Sequence, residues 1–109
     1  MKKTTCTIFK VYGSLSTNRG WNHNIVPMTV EETNKSFVTT GYRISKDKLM
    51  KIDTDLRDNT KLVAYYTYCR EGDQRNALNL IKKQIISKVK QYKDEVDILC
   101  DYTSKTIIR

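Results

Sequence analysis

The side chains able to carry chemistry fall in one short mixed run and one long basic segment. The short run, Arg19-Gly20-Trp21-Asn22-His23, gathers a guanidinium, an indole, an amide and the chain's single imidazole within five positions. An indole face stacks on a base, a guanidinium and an imidazole approach phosphate, and glycine lets backbone come close to a ligand. A structural role competes with this: Trp21 closes one end of a core, while Asn22 and His23 satisfy the backbone of a turn. Catalytic pairings of His23 are conceivable, with Cys6 or Cys69 as a thiolate pair, or with Arg19 and Tyr12 in attack of a ribose hydroxyl on phosphate. Neither has a motif behind it, so no catalytic residue is assigned and the chain is read as noncatalytic. Asp53, Asp55 and Asp58 form a D-x-D-x-x-D cluster, but the glycine and distal glutamate of a calcium loop are missing and Arg57 lies among the acids. The simpler reading is a solvated turn, with no metal site and no cofactor.

The basic segment, residues 75–93, carries six positive side chains and no acidic one. Leu78, Ile81, Ile85, Val89, Tyr92, Val96 and Leu99 are separated by 3, 4, 4, 3, 4 and 3 residues. That recurrence makes one apolar stripe on a helix. At about 100° per residue, Arg75, Lys82, Lys83, Lys90 and Lys93 fall within roughly 100° of arc beside the stripe. A solvated amphipathic helix packed on a sheet accounts for this pattern, and a ridge that binds phosphate or an acidic surface accounts for it too. Ile86 favours the ridge, because it lies inside the basic arc where an apolar group has no structural purpose unless something covers it.

Those side chains need elements to position them. Glu71-Gly72-Asp73 starts the helix, with Asp73 suited to the positive helix end, and the helix is predicted from about residue 74 to about 100, roughly 40 Å long. Asp94, Glu95, Asp97 and Asp101 then sit near its C-terminus, where the macrodipole disfavours them and i,i+4 pairs of Lys90 with Asp94 and Lys93 with Asp97 offset the cost. Upstream, residues 5–12 read as a strand and residues 13–24 as a polar loop, with Pro27 limiting the next segment to an edge or a strand start. Met28 and Val30, then Phe37, Val38 and Tyr42, suggest short strands around a turn at Asn34-Lys35. Residues 46–51 suggest a helical turn, and residues 62–69 the clearest strand. In that strand Tyr66 and Tyr68 share one face and Tyr65 takes the other. The pair offers a stacking platform or a protein-binding anchor, and its expected place is beside the basic helix. Residues 103–109 are candidates for disorder, although Ile107 and Ile108 would suit an added edge strand.

The fold class is therefore α+β: a small antiparallel, barrel-like sheet of about four strands covered by one long C-terminal helix. At 109 residues the chain is one domain, residues 1–70 mainly β and 74–100 helical. Twenty Lys and Arg against twelve Asp and Glu give a formal charge of +8, which attracts nucleic acid or acidic proteins. No apolar run reaches the ~20 residues of a membrane span and no signal core follows Met1, so a cytoplasmic protein is expected. Cys6, Cys69 and Cys100 are widely spaced without a C-x-x-C pair, which argues against zinc and for ordinary thiols.

In general character the chain resembles the small accessory proteins of phages and mobile elements, being short, lysine-rich, single-domain and free of cofactor signatures. That group includes inhibitors of CRISPR effectors and of other bacterial defences. The resemblance implies stoichiometric binding to nucleic acid or to a host nucleoprotein, with Arg75, Lys82, Lys83, Lys90 and Lys93 as the basic footing and Arg19, Trp21, His23, Tyr66 and Tyr68 as further contacts. Two alternatives stand beside it. The helix seam fits a coiled coil, so the chain could be a homo-oligomeric module. A barrel with a C-terminal helix is also similar in architecture to the small ribonucleases of toxin–antitoxin pairs.

Overall fold

A computed structural model of the protein describes residues 4–16, 19–55 and 63–107, with side-chain surroundings through Cys100. Its backbone is organised by one long hairpin. Strand β1 (Thr4–Ser16) and strand β2 (Gly20–Glu32) pair antiparallel over their full length, from Thr4↔Glu32 to Ser16↔Gly20. The polar loop expected at residues 13–24 is thus mostly strand. Asn22, His23 and Asn24 have poor β propensity, but all three are exposed, and their pairs with Ser14, Gly13 and Tyr12 are flanked on both sides by apolar pairs. Leu15 pairs with Trp21 and Val11 with Ile25, so burial around the polar positions holds the ladder together. The reversal itself is short, and Gly20 takes the left-handed conformation it requires, with φ 67°.

Four further strands complete the sheet: β3 (Ser36–Thr39), β4 (Tyr42–Ser45), β5 (Asp53–Thr54) and β6 (Val63–Arg70). The order is β4-β3-β2-β1-β6-β5, all neighbours antiparallel, curled into a half-barrel. The α+β class stands, with six strands rather than about four. The extra strands are β4, which a turn at Thr40-Gly41 separates from β3, and the two-residue β5, which no hydrophobic run announces; the strand expected at Met28 and Val30 is longer and reaches back to Gly20. The turn at Asn34-Lys35 is present, closed by Thr33 N–H donating to Ser36 O at 2.8 Å, and the expected helical turn is a single 3₁₀ turn at Lys46–Lys48. Pro27 lies within β2, which meets β3 only at Glu31 and Glu32. It therefore occupies a stretch with no second neighbour among the described residues, where proline is tolerated.

Alternation along the strands gives the sheet two apolar faces. On one, Val11, Val63, Tyr65 and Cys69 pack against Ala77, Ile81 and Ile85 of helix α1 (Gln74–Ile107). On the other, Ile8, Val30, Phe37, Ile44 and Tyr68 form a second core inside the curl. Gly13 sets the distance between helix and sheet. A methyl group there would run into Ile81 Cγ2 and lie 2.7 Å from Trp21 Cη2, so a residue that reads as the start of a loop is the notch that seats the helix.

The helix begins where expected. The chain turns at Gly72 (φ 96°), Gln74 Oε1 accepts from Gly72 N–H at 2.7 Å, and Ala77 N–H donates to Asp73 O at 2.9 Å. It continues past residue 100 to Ile107, so the edge strand anticipated at Ile107 is helix instead, and Ile108 lies outside the described residues. Asp94, Glu95 and Asp97 accordingly lie away from the last turn, beyond the short reach of the macrodipole. The sheet does not follow the helix this far. Tyr92 is half-buried, whereas residues 93–100 are all exposed. The radius of gyration, 18.8 Å, exceeds the roughly 13 Å of a compact chain this long, as a projecting rod requires.

Candidate nucleic-acid interface

Helix geometry puts Arg75, Lys82, Lys83, Lys90 and Lys93 on the surface, and all five are exposed. At about 1.5 Å per residue they extend over roughly 27 Å. Among the described residues no ion pair engages Lys82, Lys83, Lys90 or Lys93. The i,i+4 pairs expected with Asp94 and Asp97 do not close, and Gln91 instead donates to Glu95 Oε1 at 3.3 Å. The sixth cation of the segment, Lys88, is half-buried with its Nζ 5.1 Å from the Tyr92 ring.

The hairpin brings an aromatic group to this ridge. Trp21 faces the helix from β2, half-buried over Gly13, with Lys82 Nζ 5.5 Å from its ring. His23, two residues along the same face, stacks on Trp21 at 5.9 Å and 24°. Trp21 thus closes the end of the helix-side core and leaves part of its indole beside a lysine. Arg19 is exposed in the turn, where its N–H donates to Ser16 Oγ at 3.1 Å. Leu15, Trp21, Ile85, Ile86 and Val89, with Lys82 at the rim, line an open groove of about 340 Å³. Ile86, 68% exposed, forms one side of it.

Tyr66 and Tyr68 do not join this site. They do share a face, as alternation requires, but it is the face turned away from the helix, because Val63, Tyr65 and Cys69 take the helix side. Tyr68 is buried in the second core, and burial pushes its hydroxyl pKa up. Lys10 Nζ sits among the rings of Tyr12, Tyr66 and Tyr68 at 5.0, 4.5 and 5.6 Å, which makes this a separate cation–aromatic cluster. The same parity separates the groups of the ribonuclease reading. Tyr12 belongs with Tyr66 on the far face, at 6.3 Å, while His23 is on the helix side with Trp21.

The thiol reading fares no better. Cys69 is buried in the helix-side core and Cys6 pairs with Val30, far along the hairpin from the His23 position opposite Gly13. Burial raises both thiol pKa values, and Glu32 beside Cys6 and Asp73 near Cys69 raise them further, which disfavours a thiolate. Cys100 is exposed on the projecting helix. Of the aspartate cluster, Asp53 pairs with Lys48 at 3.4 Å, Asp55 donates its N–H to Ala64 O, and Asp58 lies outside the described residues. No group of side chains suited to a metal ion occurs among the described residues.

One polar cluster had no sequence signal. Arg70 Nη1 and Nη2 donate to Glu32 Oε1 and Oε2 at 3.2 and 2.9 Å, and Lys46 Nζ donates to Glu32 Oε2 at 2.7 Å. Both cations also lie over the Phe37 ring, at 5.2 Å for Arg70 and 5.6 Å for Lys46. The Arg70 hydrogen bonds, then that of Lys46, hold the Glu32 carboxyl at about 2, well below its ordinary 4.5. These residues are remote in sequence and meet only through strand register.

Comparison with protein-family models, with curated proteins and with solved structures gives no match to this chain. Among the described residues no helix is long and apolar enough to cross a membrane.

Proposed function

We propose that the protein is a noncatalytic nucleic-acid-binding protein that uses the outer face of α1. The observation that carries this reading is the row of exposed lysines at Lys82, Lys83, Lys90 and Lys93, without ion-pair partners among the described residues, beside a partly exposed indole. Such a row neutralises successive phosphates and releases their counterions, and Trp21 with Arg19 and His23 offers a stacking and phosphate contact at one end. Stoichiometric occupation of nucleic acid, or of a host nucleoprotein, accords with the phage and mobile-element accessory proteins that the chain resembles. The molecule then acts by covering a site rather than by turning over a substrate.

Fluorescence of the single tryptophan provides the test. Titration with single- and double-stranded oligonucleotides should perturb Trp21 emission. Apparent affinity should fall with salt along a log–log slope near −0.9 per phosphate contacted on a duplex. Changing Lys82, Lys83, Lys90 and Lys93 together to Glu should abolish the response. An unaltered titration in that quadruple variant would falsify the assignment.

A further inference from the structure

The charge along α1 is arranged in two blocks. Residues 75–93 hold only cations, and Asp94, Glu95 and Asp97 come next without an intervening cation. The first block lies largely over the sheet and the second lies on the projecting end. The apolar stripe crosses from one to the other: Val89 is half-buried, while Val96 is 55% and Leu99 62% exposed. Beside the basic block runs the apolar groove of Leu15, Trp21, Ile86 and Val89. Each molecule therefore displays an apolar groove with a cationic rim and, further along the same rod, an apolar ridge with anionic flanks.

We propose that the chain pairs with a second copy of itself, antiparallel, each copy laying the projecting end of its α1 into the groove of the other. Charge selects both the occupant and its direction. In antiparallel alignment the Asp94–Asp97 stretch of each copy runs past Lys82 of the other, whereas parallel alignment sets cations on cations and acids on acids. The contact is isologous and closed, because one two-fold axis near the middle of the helix satisfies both grooves. Val96 enters beside Trp21 and Ile86. Ile86 thereby acquires a reason to be apolar within a basic arc. Lys83 and Lys90 point further from the seam than Lys82 and stay available on the outer face, so this pairing does not depend on nucleic acid.

The test uses the full chain alone, without nucleic acid. Sedimentation equilibrium across a wide concentration range should show a reversible dimer. Changing Ile86 and Val96 together to Glu should weaken it at least ~10-fold, as loss of central apolar contacts does. Both residues are exposed in the single chain, so at concentrations where the parent is monomeric the far-UV spectrum and thermal midpoint of that variant should match the parent. Cys100 supplies the direction: with Cys6→Ser and Cys69 buried, a spin label on Cys100 should report partners roughly 25 Å or more apart. Parallel helices would bring the labels within about 10 Å. A monomer at every concentration, a dimer indifferent to the double substitution, or a short label distance overturns the proposal, and none of these outcomes bears on the oligonucleotide titration.

Discussion

Glu32 and the α1 ridge show two ways in which the same chain handles positive charge. At Glu32, Arg70 and Lys46 share one carboxylate and rest over Phe37, so their charge is absorbed into the joint between β2, β6 and the 3₁₀ turn. On the ridge, Lys82, Lys83, Lys90 and Lys93 have no such partner among the described residues, and the acids that could reach them on the next turn do not. A formal charge of +8 is therefore unevenly distributed in effect, neutralised where it serves the fold and left open on one side of a helix. Net charge alone does not distinguish these two conditions, whereas pairing does.

The contrast can be broken most forcefully at the ridge. Reversing all four lysines should lower nucleic-acid affinity at least ~100-fold near 50 mM salt. The thermal midpoint should fall only slightly, because no ion pair among the described residues is lost, although the Lys82–Trp21 contact goes and the new acids at 90 and 93 face Asp94 and Asp97 at i,i+4; filter binding and calorimetry on one sample check both halves. Next comes the seat that holds the ridge against the sheet. Gly13→Val should destabilise the fold by about 1–3 kcal/mol through overpacking against Ile81 and Trp21, measured by urea unfolding with unchanged m-value.

The Glu32 joint should respond to acid. Its carboxyl has a lower pKa folded than unfolded, so its contribution is complete above the ordinary 4.5 and is lost as pH falls toward about 2. Denaturation midpoints taken through that window should drop in the parent, and Glu32→Gln should flatten this part of the profile. Above that window Glu32→Gln should be the less stable protein. The finest distinction is a single charge: Lys83→Gln should reduce the salt slope of binding by about 0.9 and leave stability unchanged, a difference visible only in a full salt series.

The helix was legible because its information is local. Seven apolar residues at helical spacing and Gly72-Asp73 before them define the helix and its start without reference to the rest of the chain, and five of the seven, Leu78 to Tyr92, face the sheet, whereas Val96 and Leu99 do not. Its end was misplaced because Thr103 and Thr106 interrupt the stripe, yet the backbone remains helical to Ile107. The hairpin was half legible: residues 5–12 read as strand, but Asn22, His23 and Asn24 disguised their own, since pairing and burial of neighbouring residues outweighed propensity. Parity correctly grouped Tyr66 with Tyr68, but parity does not say which face receives the helix, and the pair went to the other one. Trp21 beside Lys82 and Glu32 beneath Arg70 and Lys46 depend on strand register and on the approach of the helix, quantities that no local window contains.

The missing side chain at position 13 has an evolutionary corollary. It fixes one shared volume among three positions, 13, 21 and 81, and none of them can grow without displacing the others. In descendants of this chain those positions should drift together, alanine at the first appearing with a trimmed residue at 81 or a smaller ring at 21. Sites on the outer helix surface, bound by no such steric contract, should vary independently in size while keeping their sign.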